Sequence, residues 1–140
     1  MTFWKRLFRG PEAGTQAKPD AGNVDEVLAR ADALLSEGSH AEAEKQTKLV
    51  LNSDPRSARA WLLLGHIYSA AGKPGKAAVY FEQTLALDPE NDLAAGRLET
   101  LKRFLAGNQQ QMAIYNAEAQ FVAAIPRFRF EHKISKSAGD

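Results

Sequence analysis

The chain has 140 residues, of which 44% are hydrophobic and 25% charged, enough for one domain with a hydrophobic core. The 18 Lys and Arg residues nearly balance the 17 Asp and Glu residues, which disfavours nucleic acid as the main partner. The absence of cysteine excludes disulfide bonds, thiol catalysis and thiolate metal sites. We expect a cytoplasmic protein, because no apolar run approaches the roughly 20 residues that span a bilayer and no apolar signal segment follows the basic N-terminus.

Residues 1–9 form a short peptide that is both basic and aromatic. If this peptide is helical, its apolar side chains lie on one side with cations on the flanks, which is typical of helices at the surface of anionic membranes. Weak contact of this kind would hold the protein peripherally on the inner face of a membrane. Docking into a partner's groove, packing on the rest of the chain, and disorder are the alternatives. The candidate anchor residues are Phe3, Trp4, Lys5, Arg6, Leu7, Phe8 and Arg9.

Residues 10–23 are rich in Gly, Ala, Pro and polar residues and lack apolar periodicity, which predicts a flexible linker. Apolar residues recur at helical spacing from Val24 onward, and Pro126 stops the last such pattern. We therefore predict a helical domain over residues 24–125.

Within this domain the sequence repeats after 34 residues. Glycine recurs at positions 38 and 72, and the pair Asp-Pro recurs at 54–55 and 88–89. A glycine can end the first helix of a unit, whereas a proline cannot continue the second. The pattern in each unit therefore predicts a helix, a turn and a second helix. A third unit starts at Asp92, and residues 108–125 either complete it or cap the stack.

The second unit carries a longer pattern of fixed spacing, W-x2-L-G-x2-Y, then A-x3-F, then P. Its residues are Trp61, Leu64, Gly65, Tyr68, Ala77, Phe81 and Pro89. In these seven positions the chain resembles the tetratricopeptide repeat family. The first unit, over about residues 24–57, keeps only the alanine and the proline of this pattern, as expected for a degenerate terminal unit.

The resemblance implies an all-α solenoid of helical hairpins, with two repeats and a degenerate third or capping helix pair. The aromatic residues of the pattern would then fill the core, and the small residues Gly65 and Ala77 would let paired helices approach closely.

In tetratricopeptide proteins, the second, fifth, ninth and twelfth positions of each repeat usually face a concave groove. The resemblance therefore implies a partner groove that is amphipathic and suits an extended or helical peptide of mixed polarity. A solvated face without a ligand is the alternative. Counted from Val24, Ala58 and Asp92, the positions are Asp25, Leu28, Asp32, Leu35, Arg59, Leu62, His66, Ser69, Leu93, Gly96, Thr100 and Arg103.

The sequence lacks the usual patterns of catalytic residues. His40, His66 and His132 are scattered, without the spacing of metal ligands on a helix. The glycines at 72 and 75 are too close together for a phosphate-binding loop and fall in a predicted turn between helices. We therefore expect no enzymatic activity, no cofactor and no metal.

Residues 126–140 predict an extended basic tail, because apolar and charged residues alternate at strand spacing. Such a segment can join the edge of a partner's sheet or lie extended on the body. It could also stack on single-stranded nucleic acid, although that needs a wider basic surface than this chain has. The candidate contact residues are Arg127, Phe128, Arg129 and Phe130.

These patterns favour a non-catalytic scaffold or adaptor that holds a protein partner and helps to assemble or localise a complex. One alternative is a structural accessory subunit held through its tails in a larger complex. Another is an accessory protein that binds lipid or nucleic acid. The partner's identity and the oligomeric state do not follow from the sequence.

Overall fold

The computed structural model describes residues 21–130, which form six α-helices and a short 3₁₀ turn, without a strand in that range. The first described helix starts at Ala21, so residues 21–23, which the sequence predicts as the end of a linker, are helical. None of the helices in residues 21–130 combines the length and the apolar character of a membrane-spanning segment. The helices are α1 (Ala21–Ser36), α2 (His40–Ser53), α3 (Ala58–Ala70), α4 (Pro74–Leu87), α5 (Asp92–Ala106) and α6 (Gln109–Ala123), and the turn spans Pro126–Phe128.

The first two hairpins turn at glycines in the left-handed conformation. Gly38 has φ 87° and Gly72 has φ 78°, which L-residues with a side chain rarely adopt. In both turns, the amide of the following residue donates to a carbonyl five residues earlier, Ser39 to Leu34 and Lys73 to Tyr68. This bond satisfies a carbonyl at the helix end. The repeated glycine therefore ends the first helix of each unit, as the sequence predicts.

Side chains cap the helices that start the second and third units. The hydroxyl of Ser57 accepts from the amide of Ala60, and the amide oxygen of Asn91 accepts from the amide of Ala94. Each bond satisfies an amide that has no partner within the helix. The Asp-Pro pair just before each cap ends the preceding helix, so the 34-residue period fixes both helix boundaries.

The core confirms the aromatic positions of the repeat pattern. Trp61, Tyr68 and Phe81 are buried. A Cβ atom at Gly65 would lie 2.8 Å from the ring of Phe81, so the close approach of α3 and α4 requires glycine at this position. Ala77, also buried, lies in the same hairpin.

The third hairpin differs from the first two. Helices α1 and α2 pack closely, as do α3 and α4, whereas α5 and α6 touch only slightly. Instead, α6 packs on α4. The contact between α4 and α6 is as extensive as the contact between α4 and α5. Helix α6 therefore covers the second repeat rather than completing a third hairpin of the same geometry.

Gly75 explains where α6 docks. The spacing of the glycines predicts an inter-helix turn at this residue, which is wrong: Gly75 is buried in the first turn of α4. Its amide donates to the side-chain oxygen of Gln111 at 3.1 Å, and a Cβ atom would lie 2.6 Å from the backbone oxygen of that residue. Only glycine lets the backbones of α4 and α6 come this close.

Candidate functional site

The predicted groove positions lie in register on α1, α3 and α5. Because the units repeat after 34 residues, equivalent positions form rows that cross the three helices. The fifth-position row contains Leu28, Leu62 and Gly96, and the ninth-position row begins with Asp32 and His66. Nine of the twelve predicted residues line two depressions on this face, which we call the groove.

The first depression lies between α1 and α3 and has a volume of about 160 Å³. Leucines supply its apolar part, and an aspartate, an arginine and a histidine supply polar groups. Leu28 is 1% exposed, so it belongs to the core and forms the floor of this depression. The lining residues are Leu28, Asp32, Arg59, Leu62, Leu63 and His66.

The second depression, of about 440 Å³, opens between α3 and α5 above a residue of α4. Apolar side chains and a glycine line much of its wall, whereas an aspartate, an arginine and two hydroxyls provide polar groups. The lining residues are Ser69, Phe81, Asp92, Leu93, Gly96, Arg97, Thr100 and Leu101. Four of these residues were not predicted to line the groove, because they fall outside the four positions that the repeat pattern assigns to it: Phe81, Asp92, Arg97 and Leu101.

His66 lies near both depressions. Its half-buried ring contacts the ring of Phe81 edge to face, with centroids 5.3 Å apart. Burial lowers the pKa of His66, and the positive charge of Arg97 lowers it further, while Asp32 opposes the shift. Below neutral pH this histidine is therefore less readily charged than an exposed one, so it offers a neutral imidazole to a ligand.

Three predicted groove residues do not line either depression. Asp25 forms an exposed ion pair with Arg59 at 2.9 Å. Arg103 pairs with Glu99 at 3.1 Å on α5, and both side chains are mostly exposed. Leu35 is partly buried against the core. Exposed pairs contribute little stability, so the Asp25 pair mainly positions Arg59 at the edge of the first depression.

The start of the predicted C-terminal tail packs on the repeat body. Phe128 is buried and contacts Trp61, and Phe130 is half-buried with its ring 6.2 Å from the same indole. The ring of Phe128 is therefore part of the core of the repeat body. Of the arrangements expected for this segment, residues 126–130 adopt the one in which the segment lies on the body. A 3₁₀ turn takes the place of an extended strand at Pro126–Phe128.

The two arginines of this segment also bond within the chain. A guanidinium nitrogen of Arg127 donates to the side-chain oxygen of Asn52 at 2.6 Å, and Arg129 donates to the carbonyl of Ala123 at 3.2 Å. Both arginines remain exposed. Residues 131–140 and the candidate anchor at residues 1–9 lie outside the described residues.

A buried polar cluster that the sequence pattern does not predict lies between α2, α3, α4 and α6. Lys48 is 1% exposed and pairs with Glu44 at 2.6 Å. The hydroxyl of Tyr68 donates to Glu44 at 2.5 Å, and the hydroxyl of Tyr80 donates to Glu118. The signal available in the sequence was the i, i+4 spacing of Glu44 and Lys48 on the buried face of α2.

The charges in this cluster shift several pKa values. Burial lowers the pKa of Lys48 to about 8, although Glu44 opposes the shift. Burial alone would raise the pKa of Glu44, but the charge and hydrogen bond of Lys48 outweigh it and lower the pKa. Burial raises the pKa of Tyr80 well above its ordinary value. Because these side chains come from four helices and bond to one another, we assign the cluster to the cohesion of the helices.

In residues 21–130, no three His, Asp or Glu side chains are grouped so that they could hold a metal ion. The candidate site consists of the two depressions, which have apolar walls and polar rims and lie on one helical face.

Comparison with known proteins identifies the second unit. The family model of the tetratricopeptide repeat matches residues 58–91, which span α3, α4 and the turn that follows. No curated protein and no solved structure matches the chain. Tetratricopeptide repeats generally mediate protein–protein interactions and are typically non-catalytic. Residues 58–91 are therefore similar to a tetratricopeptide repeat, and the all-helical hairpins of residues 21–130 are consistent with that fold.

Proposed function

We propose that the chain is a non-catalytic scaffold that holds a segment of a partner protein in the groove on α1, α3 and α5. The observation that carries this proposal is the pair of adjacent depressions on the face where equivalent repeat positions line up. Apolar walls can bury side chains of a partner, and polar rims can orient its backbone and charges.

The charges of the groove favour a partner segment of mixed polarity. The first depression has an aspartate and an arginine at its edge, and the second has the same combination on α5. A strongly acidic or strongly basic ligand would meet like charges in both depressions. A peptide that alternates apolar and charged side chains fits this arrangement better.

Affinity capture with the tagged full-length chain tests the proposal. The variant Arg59→Glu reverses an exposed charge at the first depression, and we expect it to lose most of the captured partner while keeping its melting temperature. Arg103→Glu is the matched control, because Arg103 is also an exposed arginine in an ion pair but lines neither depression. Quantitative mass spectrometry would measure the yields. Equal recovery by the groove variant and the wild type would place binding elsewhere.

The sequence of residues 1–9 supports a second proposal, that the scaffold contacts the inner face of a membrane. Four large apolar residues and three cations within nine residues combine apolar burial with attraction to anionic lipid. A cytoplasmic scaffold that binds its partner in the groove and a membrane through residues 1–9 would hold the partner's complex at the membrane.

Co-sedimentation with phosphatidylglycerol-containing vesicles tests the membrane proposal. We expect deletion of residues 1–9 to shift the chain to the supernatant, and replacement of Trp4 and Phe8 by alanine to achieve most of that shift. High salt should weaken binding only in part, because salt screens the cations but not the apolar contact. Equal partitioning of the full-length and truncated chains would contradict this proposal.

A further inference from the structure

The fifth-position row of the groove lacks one side chain. Leu28 and Leu62 occupy this position in the first and second units, and both pack against the core. Gly96 occupies the equivalent position on α5. The third unit therefore has no side chain where the first two have leucine.

Nothing within the described structure requires glycine at this position. A Cβ atom at Gly96 would meet no atom within 4 Å, whereas at Gly65 and Gly75 it would collide with a neighbour. The φ angle of Gly96 is not positive. A glycine inside a helix is less stable than alanine by about 1 kcal/mol. Gly96 therefore weakens α5 without a compensating contact, a pattern that often marks a functional position.

The larger depression lies at the position of the missing side chain. Gly96 is among its lining residues, with Phe81, Leu93 and Leu101 as apolar neighbours. Its volume of about 440 Å³ is within the range of small-molecule sites, roughly 300–1,000 Å³. A leucine or an aromatic side chain fits into this space.

A cation without a partner lies beside this space. Arg97 is exposed and, within residues 21–130, forms neither an ion pair nor a hydrogen bond. Asp92, on the same rim, lies in the first turn of α5, where the helix dipole favours a negative charge. It is five residues from Arg97, or about 7.5 Å along the helix. Only the end of the depression next to Arg97 therefore attracts a carboxylate.

We propose that the depression at Gly96 receives a leucine-sized or aromatic side chain of the partner segment, while a neighbouring carboxylate of that segment pairs with Arg97. This inference rests on the proposed function of the groove and names the chemistry of its ligand. The partner side chain completes the row that Leu28 and Leu62 begin. The carboxylate supplies the counter-charge that the chain does not provide.

Selection of random peptides displayed on phage against the full-length chain provides the probes. We expect the enriched peptides to share a bulky apolar residue with Asp or Glu close to it in sequence. Synthetic, fluorescently labelled copies then give dissociation constants by fluorescence anisotropy.

Two substitutions at Gly96 form a matched pair. Gly96→Leu supplies the missing side chain, and we expect it to weaken peptide binding at least about tenfold, because the partner's apolar side chain loses its space. Gly96→Ala leaves most of the space open and should bind within about threefold of the wild type. Both variants should melt at or above the wild-type temperature, since both remove a helical glycine, so loss of binding cannot be assigned to unfolding.

Arg97→Gln tests the charge. We expect it to weaken binding several-fold for a peptide that contains the carboxylate, and to have little effect on the same peptide with Asn or Gln in its place. The two changes should therefore be non-additive.

The possible failures are distinguishable. If Gly96→Leu binds as tightly as the wild type, or if the enriched peptides lack the apolar and acidic pair, this inference is wrong while groove binding survives. If selection enriches no peptide at all, the proposed function fails as well.

Discussion

The ring of Phe128 packs edge to face on the indole of Trp61, with centroids 4.8 Å apart and both side chains buried. Trp61 is the first residue of the repeat pattern, whereas Phe128 lies beyond the last long helix. The indole nitrogen donates to the carbonyl of Pro55 at 2.7 Å, and the ring of Tyr80 stacks on the indole at 5.7 Å. Phe128 thus completes the surroundings of Trp61, and the C-terminal segment belongs to the folding unit.

Replacing Phe128 by alanine should therefore destabilise the whole domain. We expect the free energy of unfolding to fall by about 3–5 kcal/mol, the range for a buried phenylalanine. Chemical denaturation of the full-length chain, followed by circular dichroism, measures this value. The matched control is Phe104→Ala, because Phe104 is 49% exposed and its removal should change stability by less than about 1 kcal/mol. Similar effects of the two changes would contradict the packing at Trp61.

Two glycine-to-alanine substitutions should have opposite effects. At Gly75, the new methyl group would lie 2.6 Å from the backbone oxygen of Gln111, so we expect α6 to shift and stability to fall by about 1–3 kcal/mol. At Gly96, the methyl group meets no atom within 4 Å, so stability should rise by about 0.5–1 kcal/mol. Thermal melts of the two variants compare them directly. Stabilisation by Gly75→Ala would mean that α6 does not dock at this point.

The repeat pattern predicted those features that depend on local spacing. The turns at Gly38 and Gly72, the burial of Trp61 and the alignment of groove positions all follow from a 34-residue period. The helical spacing of apolar residues determines which face of each helix is buried. The 34-residue period then places the equivalent faces of successive units side by side.

The position of α6 could not be predicted in this way, because it depends on contacts between residues far apart in the sequence. Gly75 and Gln111 are 36 residues apart, and Gly75 resembles a turn glycine until α6 is placed against it. The contact between Phe128 and Trp61 could not be predicted for the same reason. The strand-like alternation of the tail does not reveal that the packing around Trp61 leaves space for another ring. In the groove, the pattern assigned Gly96 a position but could not show a depression there.

A double-mutant cycle should reveal coupling between Tyr80 and Glu118. The Tyr80 hydroxyl donates to the Glu118 carboxylate in the buried cluster. Glu118→Leu leaves that hydroxyl buried without its acceptor, and we expect a loss of about 1–3 kcal/mol. The double variant with Tyr80→Phe removes both groups, so its loss should be smaller than the sum of the two single losses. Simple additivity in urea denaturation would argue against the hydrogen bond.

The last prediction concerns the protonation of Lys48. Its ammonium group lies 2.6 Å from Glu44 and 6.0 Å from the ring centroid of Tyr68, and the charge of Glu118 also favours its charged form. Burial and the positive charge of Lys76 act in the opposite direction, and the pKa of Lys48 falls from 10.5 to about 8. The folded domain therefore releases this proton at a lower pH than the unfolded chain does.

The sign of the pH dependence follows from proton binding. Between pH 8 and 10.5 the unfolded chain binds more protons at Lys48 than the folded domain does, so the free energy of unfolding rises with pH through this residue. Above about pH 10, ionisation of Tyr80 in the unfolded chain acts in the opposite direction, because its pKa is raised in the folded state. Measurements should therefore stop at about that pH.

Comparison with Lys48→Met isolates the contribution of the lysine, because both proteins retain Tyr80. We expect the stability of the wild type relative to this variant to rise by roughly 2 kcal/mol between about pH 7.5 and 10. Urea denaturation at several pH values measures the difference, and Lys45→Met, at an exposed lysine of α2, is the matched control. A difference between wild type and Lys48→Met that is constant or falls over this range would mean that Lys48 keeps its proton in the folded domain as readily as in the unfolded chain.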